Sequence, residues 1–395
     1  MTTRPTTTRP IVLVTGGAGF IGCALSRVLA PTSARWIAVD ALHPQVHAER
    51  RRPDALDPAA ELVVADVTDP DAWDALLATV RPDVVVHLAA ETGTAQSLDE
   101  ATRHADVNVC GTTVMLDALG RHGVLPSRIV LASSRAVYGE GDWLDTVSGA
   151  VVRPGQRTHD QLEAGAWDHA GATSMPSDAR RTVPAPTSVY GATKLAQEHV
   201  LGAWCAARGV GLAVLRLQNV YGPGQSLTNP YTGIVSLFSQ LARRGDSIPV
   251  YEDGAIVRDF VHIEDVAGAL AAAVTGGPEV EGAPIDVGSG VATTILDLAQ
   301  RIAAFHGAPA PRITGAYRDG DVRAASCTVE DAAARLGWTP RWSVGAGVAD
   351  LQTWIDRCLR EDVPALVSRR WVSTPRAPGR RRWTAPGRRP GAATA

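Results

Sequence analysis

Eight consecutive residues constrain this chain more than any others: Thr15-Gly-Gly-Ala-Gly-Phe-Ile-Gly22 sets glycines at 16, 19 and 22 between an aliphatic run, Ile11 to Val14, and a stretch of helical character, Ala24 to Leu29. Strand, glycine turn and helix in that order make a cradle for phosphate. Gly16 permits the tight turn, Gly19 lets the backbone approach a pyrophosphate, and Gly22 lets helix and strand pack closely, while the helix N-terminus offers free N–H groups and a positive dipole end. The spacing predicts a dinucleotide site to which Phe20 and Ile21 also belong.

The next apolar run, Trp36 to Val39, ends in Asp40. A carboxylate there accepts both ribose hydroxyls of NAD and repels the 2′-phosphate of NADP, so NAD is the expected cofactor. Asp66, after Leu62 to Val64, is placed to meet the adenine edge with Val67 beside it; capping the following helix is the other reading of Asp66. Leu88, Ala89 and Ala90, at the end of the run from Val84, complete the expected cofactor lining. Further runs at Ile129 to Leu131 and Leu212 to Leu217 alternate with helical segments such as Trp73 to Val80. That alternation predicts an α/β fold, a Rossmann-type doubly wound parallel sheet with a smaller C-terminal substrate-binding lobe.

At 395 residues the chain exceeds one compact domain of ordinary size. We read residues 1–10 as a disordered arm, 11–218 as the NAD-binding domain, 219–365 as the substrate lobe with the chain returning to the first domain, and 366–395 as a disordered Arg-rich tail. Residues 142–187 lose all periodicity, which marks a long insertion of the kind that serves as a lid or binding loop. Charged residues make up 20% and the net charge is −3, so no global field favours nucleic acid or an anionic membrane as a partner. Cys23, Cys110, Cys205, Cys327 and Cys358 form no Cys-x-x-Cys pair, which points away from a metal site or a disulfide framework. Without a signal-like N-terminus or a spanning apolar run, a soluble cytoplasmic protein acting on a small molecule is expected.

The reactive centre is read from Tyr190-Gly-Ala-Thr-Lys194, which places a phenol and an ammonium one helical turn apart on one face, with Leu195 to Trp204 continuing the helix. The cation is expected to lower the phenol pKa and to hold the nicotinamide ribose, making Tyr190 an acid/base near neutral pH. Ser133 and Ser134 follow the Ile129 run at the carboxyl edge of the sheet, where α/β ligands bind. Ser134 is the expected catalytic hydroxyl; a strand-end serine capping backbone is the other reading.

Six segments together carry a pattern: Thr15 to Gly22, His87-Leu-Ala-Ala-Glu91, Ser133-Ser-Arg-Ala-Val-Tyr-Gly139, Tyr190 to Lys194, Asn219-Val-Tyr-Gly-Pro-Gly224 and Arg258-Asp-Phe-Val-His262. The pattern resembles the NAD-dependent epimerase/dehydratase family of extended short-chain dehydrogenases over roughly residues 10 to 360. Within it, His43 to His47, Glu91 to Ser97 and Leu217 to Ser226 are most similar to the group acting on dTDP-L-rhamnose at C4. The resemblance implies that Asn108 supports the cofactor, that Asn219 contacts a substrate diphosphate, and that Arg258 and Arg323 clamp it, a task suited to planar guanidinium forks. It also implies that Glu91, Thr92, Gln96 and Ser97 lie beside the sugar, and that the enzyme is a homodimer.

Where the 4,6-dehydratases of that family carry an acidic pair after the hydroxyl, this chain has Arg135 and Ala136; Thr328 and Ala95 are further departures. The reaction expected is therefore 4-epimerisation of a nucleotide-diphosphate sugar through a 4-keto form. A 4-ketoreductase or dehydrogenase shares the same residues. So does an epimerase or mutase of a UDP-hexuronate or GDP-hexose, for which Arg135 could pair with a C6 carboxylate.

Overall fold

Seven strands run parallel in the central sheet: β1 (Ile11–Thr15), β2 (Arg35–Asp40), β3 (Ala60–Val64), β4 (Val84–His87), β5 (Arg128–Ser134), β6 (Gly211–Leu217) and β7 (Ile285–Val287). The spatial order is β3-β2-β1-β4-β5-β6-β7, so the winding direction reverses between β1 and β4. A crevice opens at such a reversal, outside the carboxyl ends of the strands. The structure, a computed structural model, describes residues 9–47, 49–227 and 233–360. The Arg-rich tail, most of the N-terminal arm, Asn229 and Pro230 lie outside those residues.

The strands are aliphatic along their whole length because both faces are covered. Helices α1 (Phe20–Leu29) and, much later in the chain, Ile263–Thr275 press Leu25, Val266 and Leu270 onto one face. On the other, α2 (Pro70–Leu77), α3 (Gly111–Arg121) and α4 (Val189–Arg208) bury Trp73, Leu77, Met115, Leu119 and Leu201. Ser188 caps the start of α4 by accepting from Gly191 N, and Gly209 ends it in the left-handed region at φ 66°. Asp69 caps α2, not Asp66, which instead closes a local turn by accepting from the amide and hydroxyl of Thr68.

Two features go beyond the sequence reading. The insertion has a sheet of its own, in which Trp143–Asp145 pairs antiparallel with both Val151–Val152 and Ala172–Ser174, and a short helix, His159–Glu163. The chain also crosses between the two lobes repeatedly. Strands Asn219–Tyr221 and Val257–His262 enter a second core built on Phe238, Phe260, Ile302 and Leu351. The helix at 263–275 and β7 then return to the first core, as does Glu330–Leu336, whose Ala332 and Leu336 join it with Trp338. Among the described residues no helix is long and apolar enough to cross a membrane.

Candidate active site

At the carboxyl end of β1 the backbone turns so closely past its neighbours that side chains have no room. Gly16 has φ 65°, and a Cβ there would stand 2.8 Å from Ala89 N, on the segment that leaves β4. Gly17 would bring a Cβ within 2.7 Å of the Ala38 side chain on β2, and Gly22 within 2.5 Å of the Gly17 carbonyl. Gly22 therefore packs α1 against the turn itself, and Gly17 makes the close approach to the sheet. Asp40 ends β2 beside this turn, its carboxylate accepting from Ala18 N at 3.0 Å and Leu42 N at 2.9 Å, with His47 Nε2 3.7 Å away. A cradle without side chains at a helix N-terminus, flanked by a carboxylate, fits the phosphates and ribose of a dinucleotide. Phe20 and Ile21 open α1 beside the cradle, and Leu88, Ala89 and Ala90 run along it, with Leu88 N and Ala89 N bonded to Thr15. Val67 is buried, and its carbonyl accepts from the Trp73 indole.

Ser134 closes β5 near Tyr190, on the first turn of α4, and its hydroxyl draws the phenol pKa down. The Ser134 hydroxyl accepts from Ala136 N at 3.1 Å, the backbone-capping contact that was its other reading. Ser133 faces away, donating to Glu198 in a buried chain that continues through Arg216 to Tyr138 and Asp286. Burial pushes the Tyr190 phenol upward, while Ser134 and the charge of Arg135 pull it down. Lys194, which the spacing placed in that acidifying role, is turned elsewhere. Its Nζ donates to Gln197 Oε1 at 2.6 Å, and burial draws its pKa down to about 7.

Gln197 had no part in the sequence reading. With its oxygen held by Lys194, its amide nitrogen reaches Thr112 Oγ1 at 2.9 Å and His87 Nε2 at 3.1 Å. His87 Nδ1 contacts Thr15 Oγ1 at 2.7 Å, so one buried polar chain links the end of β1 to Lys194. Asn108 lies within a π-helical turn, Asp106–Cys110, and ties the loop after β4 to α4 by holding Glu91 N, Glu91 O and Thr193 Oγ1. Such turns recur at functional sites.

The residues expected beside a sugar divide. Thr92 is exposed, and Glu91 is bound by Arg103 through both carboxylate oxygens at 2.8 Å. Gln96 and Ser97 are buried, their polar atoms engaged by Gln45, Glu100 and the Thr94 carbonyl. Asn219 accepts from Arg135 Nε at 3.0 Å. Arg258 pairs with Asp321 at 2.5 Å. Arg323 is saturated: Nε meets Asp168, Nη1 meets Glu252 and Asp253, and Nη2 meets Asp168 and Asp253. Arg157, wholly buried, lies beside Glu140 and Glu252 in the same cluster. The expected diphosphate clamp thus holds carboxylates, one of them, Asp168, supplied by the insertion.

A Rossmann sheet with a glycine cradle at its switch point and a serine–tyrosine pair at its carboxyl edge defines a dinucleotide-binding protein with proton-transfer chemistry beside the cofactor. The NAD dependent epimerase/dehydratase family model matches residues 12–288, and the chain belongs to that family. It is 60% identical over 344 residues to a dTDP-L-rhamnose 4-epimerase of Burkholderia thailandensis, covering 87% of this chain and 94% of the relative. The UDP-glucose 4-epimerase of Thermotoga maritima, solved with UDP-glucose, superposes with a TM-score of 0.73 at 27% identity, covering 88% of this chain and 99% of the other. The UDP-glucose 4-epimerase of Thermus thermophilus in complex with NAD gives a TM-score of 0.69 at 26% identity, covering 87% and 98%.

Proposed function

We propose that this chain is an NAD-dependent nucleotide-sugar 4-epimerase acting on a dTDP-6-deoxyhexose such as dTDP-L-rhamnose, in deoxysugar biosynthesis. The observation that carries the reading is the likeness to the Burkholderia enzyme along nearly its whole length, joined to a serine–tyrosine pair at the carboxyl edge of the sheet. We further infer a cytoplasmic homodimer, with residues 11–218 holding cofactor and 219–365 the substrate.

Gly16, Gly19, Gly22, Asp40, Asn108 and Lys194 would hold NAD, which when bound supplies the acceptor and donor of the hydride. The chain's own residues handle the proton and the sugar. Ser134 steadies the 4-oxygen while Tyr190 takes the 4-hydroxyl proton, and Tyr190 returns it once the 4-keto sugar has been reduced from its other face. Asn219, Arg258 and Arg323 anchor the diphosphate, so that the sugar can turn while its nucleotide stays fixed. Arg323 can do so only if an anion displaces Asp168, which is 64% exposed and the most open of its carboxylates.

Elimination of water is not expected. It needs a base at C5 and an acid at the 6-hydroxyl, each worth roughly 10² to 10⁴ in rate. Arg135 is held by Asn219 and Ala136 has no proton to move. The deciding experiment incubates the purified protein with dTDP-L-rhamnose, UDP-glucose, UDP-glucuronate and GDP-mannose without added cofactor, and follows C4 inversion by NMR. Inversion of the dTDP-sugar is the expected result. Turnover that instead requires added NAD, and accumulates NADH with a 4-keto sugar and no C4 inversion, would make the enzyme a 4-ketoreductase or dehydrogenase.

A further inference from the structure

Three polar side chains lie side by side on the face of the sheet that α4 covers. In the parallel register Ser133 of β5 neighbours Arg216 of β6, and Arg216 neighbours Asp286 of β7. Two positions earlier on the first two strands stand Leu131 and Val214, which belong to the apolar core, so that face turns polar toward its carboxyl edge. Two further groups close the row. Glu198, from α4, accepts from the Ser133 hydroxyl and takes both arms of Arg216, Nε to Oε1 at 3.0 Å and Nη2 to Oε2 at 2.7 Å. The Arg216 guanidinium carbon stands 4.8 Å over the centre of the Tyr138 ring, and the Tyr138 hydroxyl meets both Asp286 oxygens, at 2.8 and 3.0 Å. All five residues are buried.

Stability alone does not account for such a row, since apolar side chains of similar volume often hold the same elements at least as well as a buried ion pair. What the bonds add is position. A helix resting on apolar side chains can slide or turn, whereas one whose carboxylate is gripped from two adjacent strands is fixed by the direction of each bond. We propose that Ser133 and Glu198 are positioning residues that fix α4 on the sheet, and with it the Tyr190 phenol relative to Ser134. This rests on Tyr190 and Ser134 being the proton-transfer pair.

Each member of that pair is tied directly to the row. Ser134 follows Ser133, and the turn after it, Arg135–Tyr138, ends on the residue bonded to Asp286, so the turn is held at both ends. Tyr190 and Glu198 share α4, about 12 Å apart along its axis. Gly191, next to Tyr190, lies so close to the turn that a Cβ there would collide with the Ala136 carbonyl. Farther along, α4 is held by Leu201 and Cys205 in the apolar core. Its half nearer the site is held by polar bonds, from Thr193 to Asn108 and from Gln197 to Thr112 and His87. To these the Ser133–Glu198 bond adds a tie to the strand that carries Ser134.

The test measures kcat, KM, retained NAD and the thermal midpoint of the full-length enzyme with dTDP-L-rhamnose, comparing Ser133→Ala, Ser133→Thr, Glu198→Gln and Tyr190→Phe. Ser133→Ala cuts the tie to β5 and leaves the Glu198–Arg216 pair whole. Its kcat should fall about tenfold or more, because a displacement of about 1 Å can cost about a hundredfold. KM, retained NAD and the midpoint should stay near the wild-type values, and Ser133→Thr, which keeps the hydroxyl, should recover most of the rate. A wild-type kcat in Ser133→Ala, whatever its midpoint, overturns the proposal and leaves the row purely structural. So does a raised KM at unchanged kcat, which would put Ser133 in substrate binding. Tyr190→Phe with near-normal turnover would instead sink the acid/base reading beneath it. If Ser133→Ala fails to fold, Glu198→Gln decides, since it breaks the two-oxygen grip of Arg216 without changing side-chain size. A lower kcat at steady KM supports the proposal, and an unchanged kcat overturns it.

Discussion

The cofactor end of the site and its arginine end are built in opposite ways. At the first, eight contiguous residues act by leaving side chains out. Gly16, Gly17 and Gly22 let backbone lie against backbone at separations no Cβ tolerates, and a single carboxylate, Asp40, is added from the next strand. At the second, charge is assembled from segments far apart in sequence: Arg157 and Asp168 from the insertion, Glu140 before it, Glu252 and Asp253 from the second lobe, and Arg323 beyond them. A cradle made of absent side chains is rigid and tolerates no addition. A cluster of mutually neutralising charges can exchange one anion for another at moderate cost, which suits the proposed role of this end in admitting and releasing a diphosphate.

The sharpest way to break this contrast is at Gly17, which lies outside the three-glycine spacing. A Cβ there meets Ala38 Cβ at 2.7 Å, Ala38 Cα at 2.8 Å and Val14 O at 2.9 Å, all fixed in the sheet. Gly17→Val should therefore abolish retention of NAD and lower the thermal midpoint, with overpacking costing about 3 kcal/mol or more. A variant that still purifies with NAD would show that the cradle yields.

The arginine end should lose stability by a different route. Arg323→Ala strips the partner from Asp168 and Asp253 and leaves Glu252, 1% exposed, with Arg157 alone. Removing one member of a buried ion cluster costs about 3 kcal/mol, read as a lower urea midpoint. Asp168→Asn, at the exposed rim, should change stability by less than about 1 kcal/mol. If the Asp168 variant proved as damaging as the Arg323 one, the exchange of anions proposed for this end could not occur.

The same contrast explains what the sequence made legible. Ile11 to Val14, Ile129 to Leu131 and their like read as buried parallel strands because apolar runs and glycine turns are local signals. Ile285–Val287 was missed: three residues with an aspartate in the middle carry no such signal, and that aspartate is there to receive the Tyr138 hydroxyl from 148 residues away. Ser134, Tyr190 and Lys194 were singled out by position and spacing, yet the direction of Lys194 was not legible, because Gln197 faces it only through the buried chain to His87. Arg157, Asp168 and Glu140 sit in a segment without periodicity, where nothing local distinguishes a buried charge from a solvated one. Gly17 adjoins Gly16, and adjacency hid which of the two approaches β2.

At Asp40 the contrast is sharpened by selectivity. The wild type should bind NAD in preference to NADP, and Asp40→Asn should narrow the preference by about tenfold or more, since one repulsive charge against a 2′-phosphate is worth at least about 1.4 kcal/mol. The ratio of the two dissociation constants measures it. Equal affinities in the wild type would remove the reason for placing the ribose at this carboxylate, and would direct attention to His47 beside it.

The smallest effect expected at mild pH belongs to His87, where the cofactor end carries a titratable group that never meets solvent. Burial, and after it the charge of Lys194, pull its pKa from 6.5 down to about 3, so the folded state keeps the ring neutral where the unfolded chain would protonate it. The stability this contributes is present above the unfolded value near 6.5 and is withdrawn as pH falls from there toward 3, because the unfolded state binds the extra proton. One proton difference corresponds to about 1.4 kcal/mol per pH unit once the ring is fully charged in the unfolded chain, so between pH 6.5 and 5.5 the loss should approach about 1 kcal/mol. His87→Gln places an uncharged amide between Thr15 and Thr112 and should unfold more readily at pH 7.5, where the native ring packs and bonds better. Its stability should nevertheless decline less steeply on acidification, and urea melts of both proteins across this pH range give the two slopes. Parallel slopes would mean that the ring takes up its proton within the fold, and that the buried chain from Thr15 to Lys194 opens in mild acid.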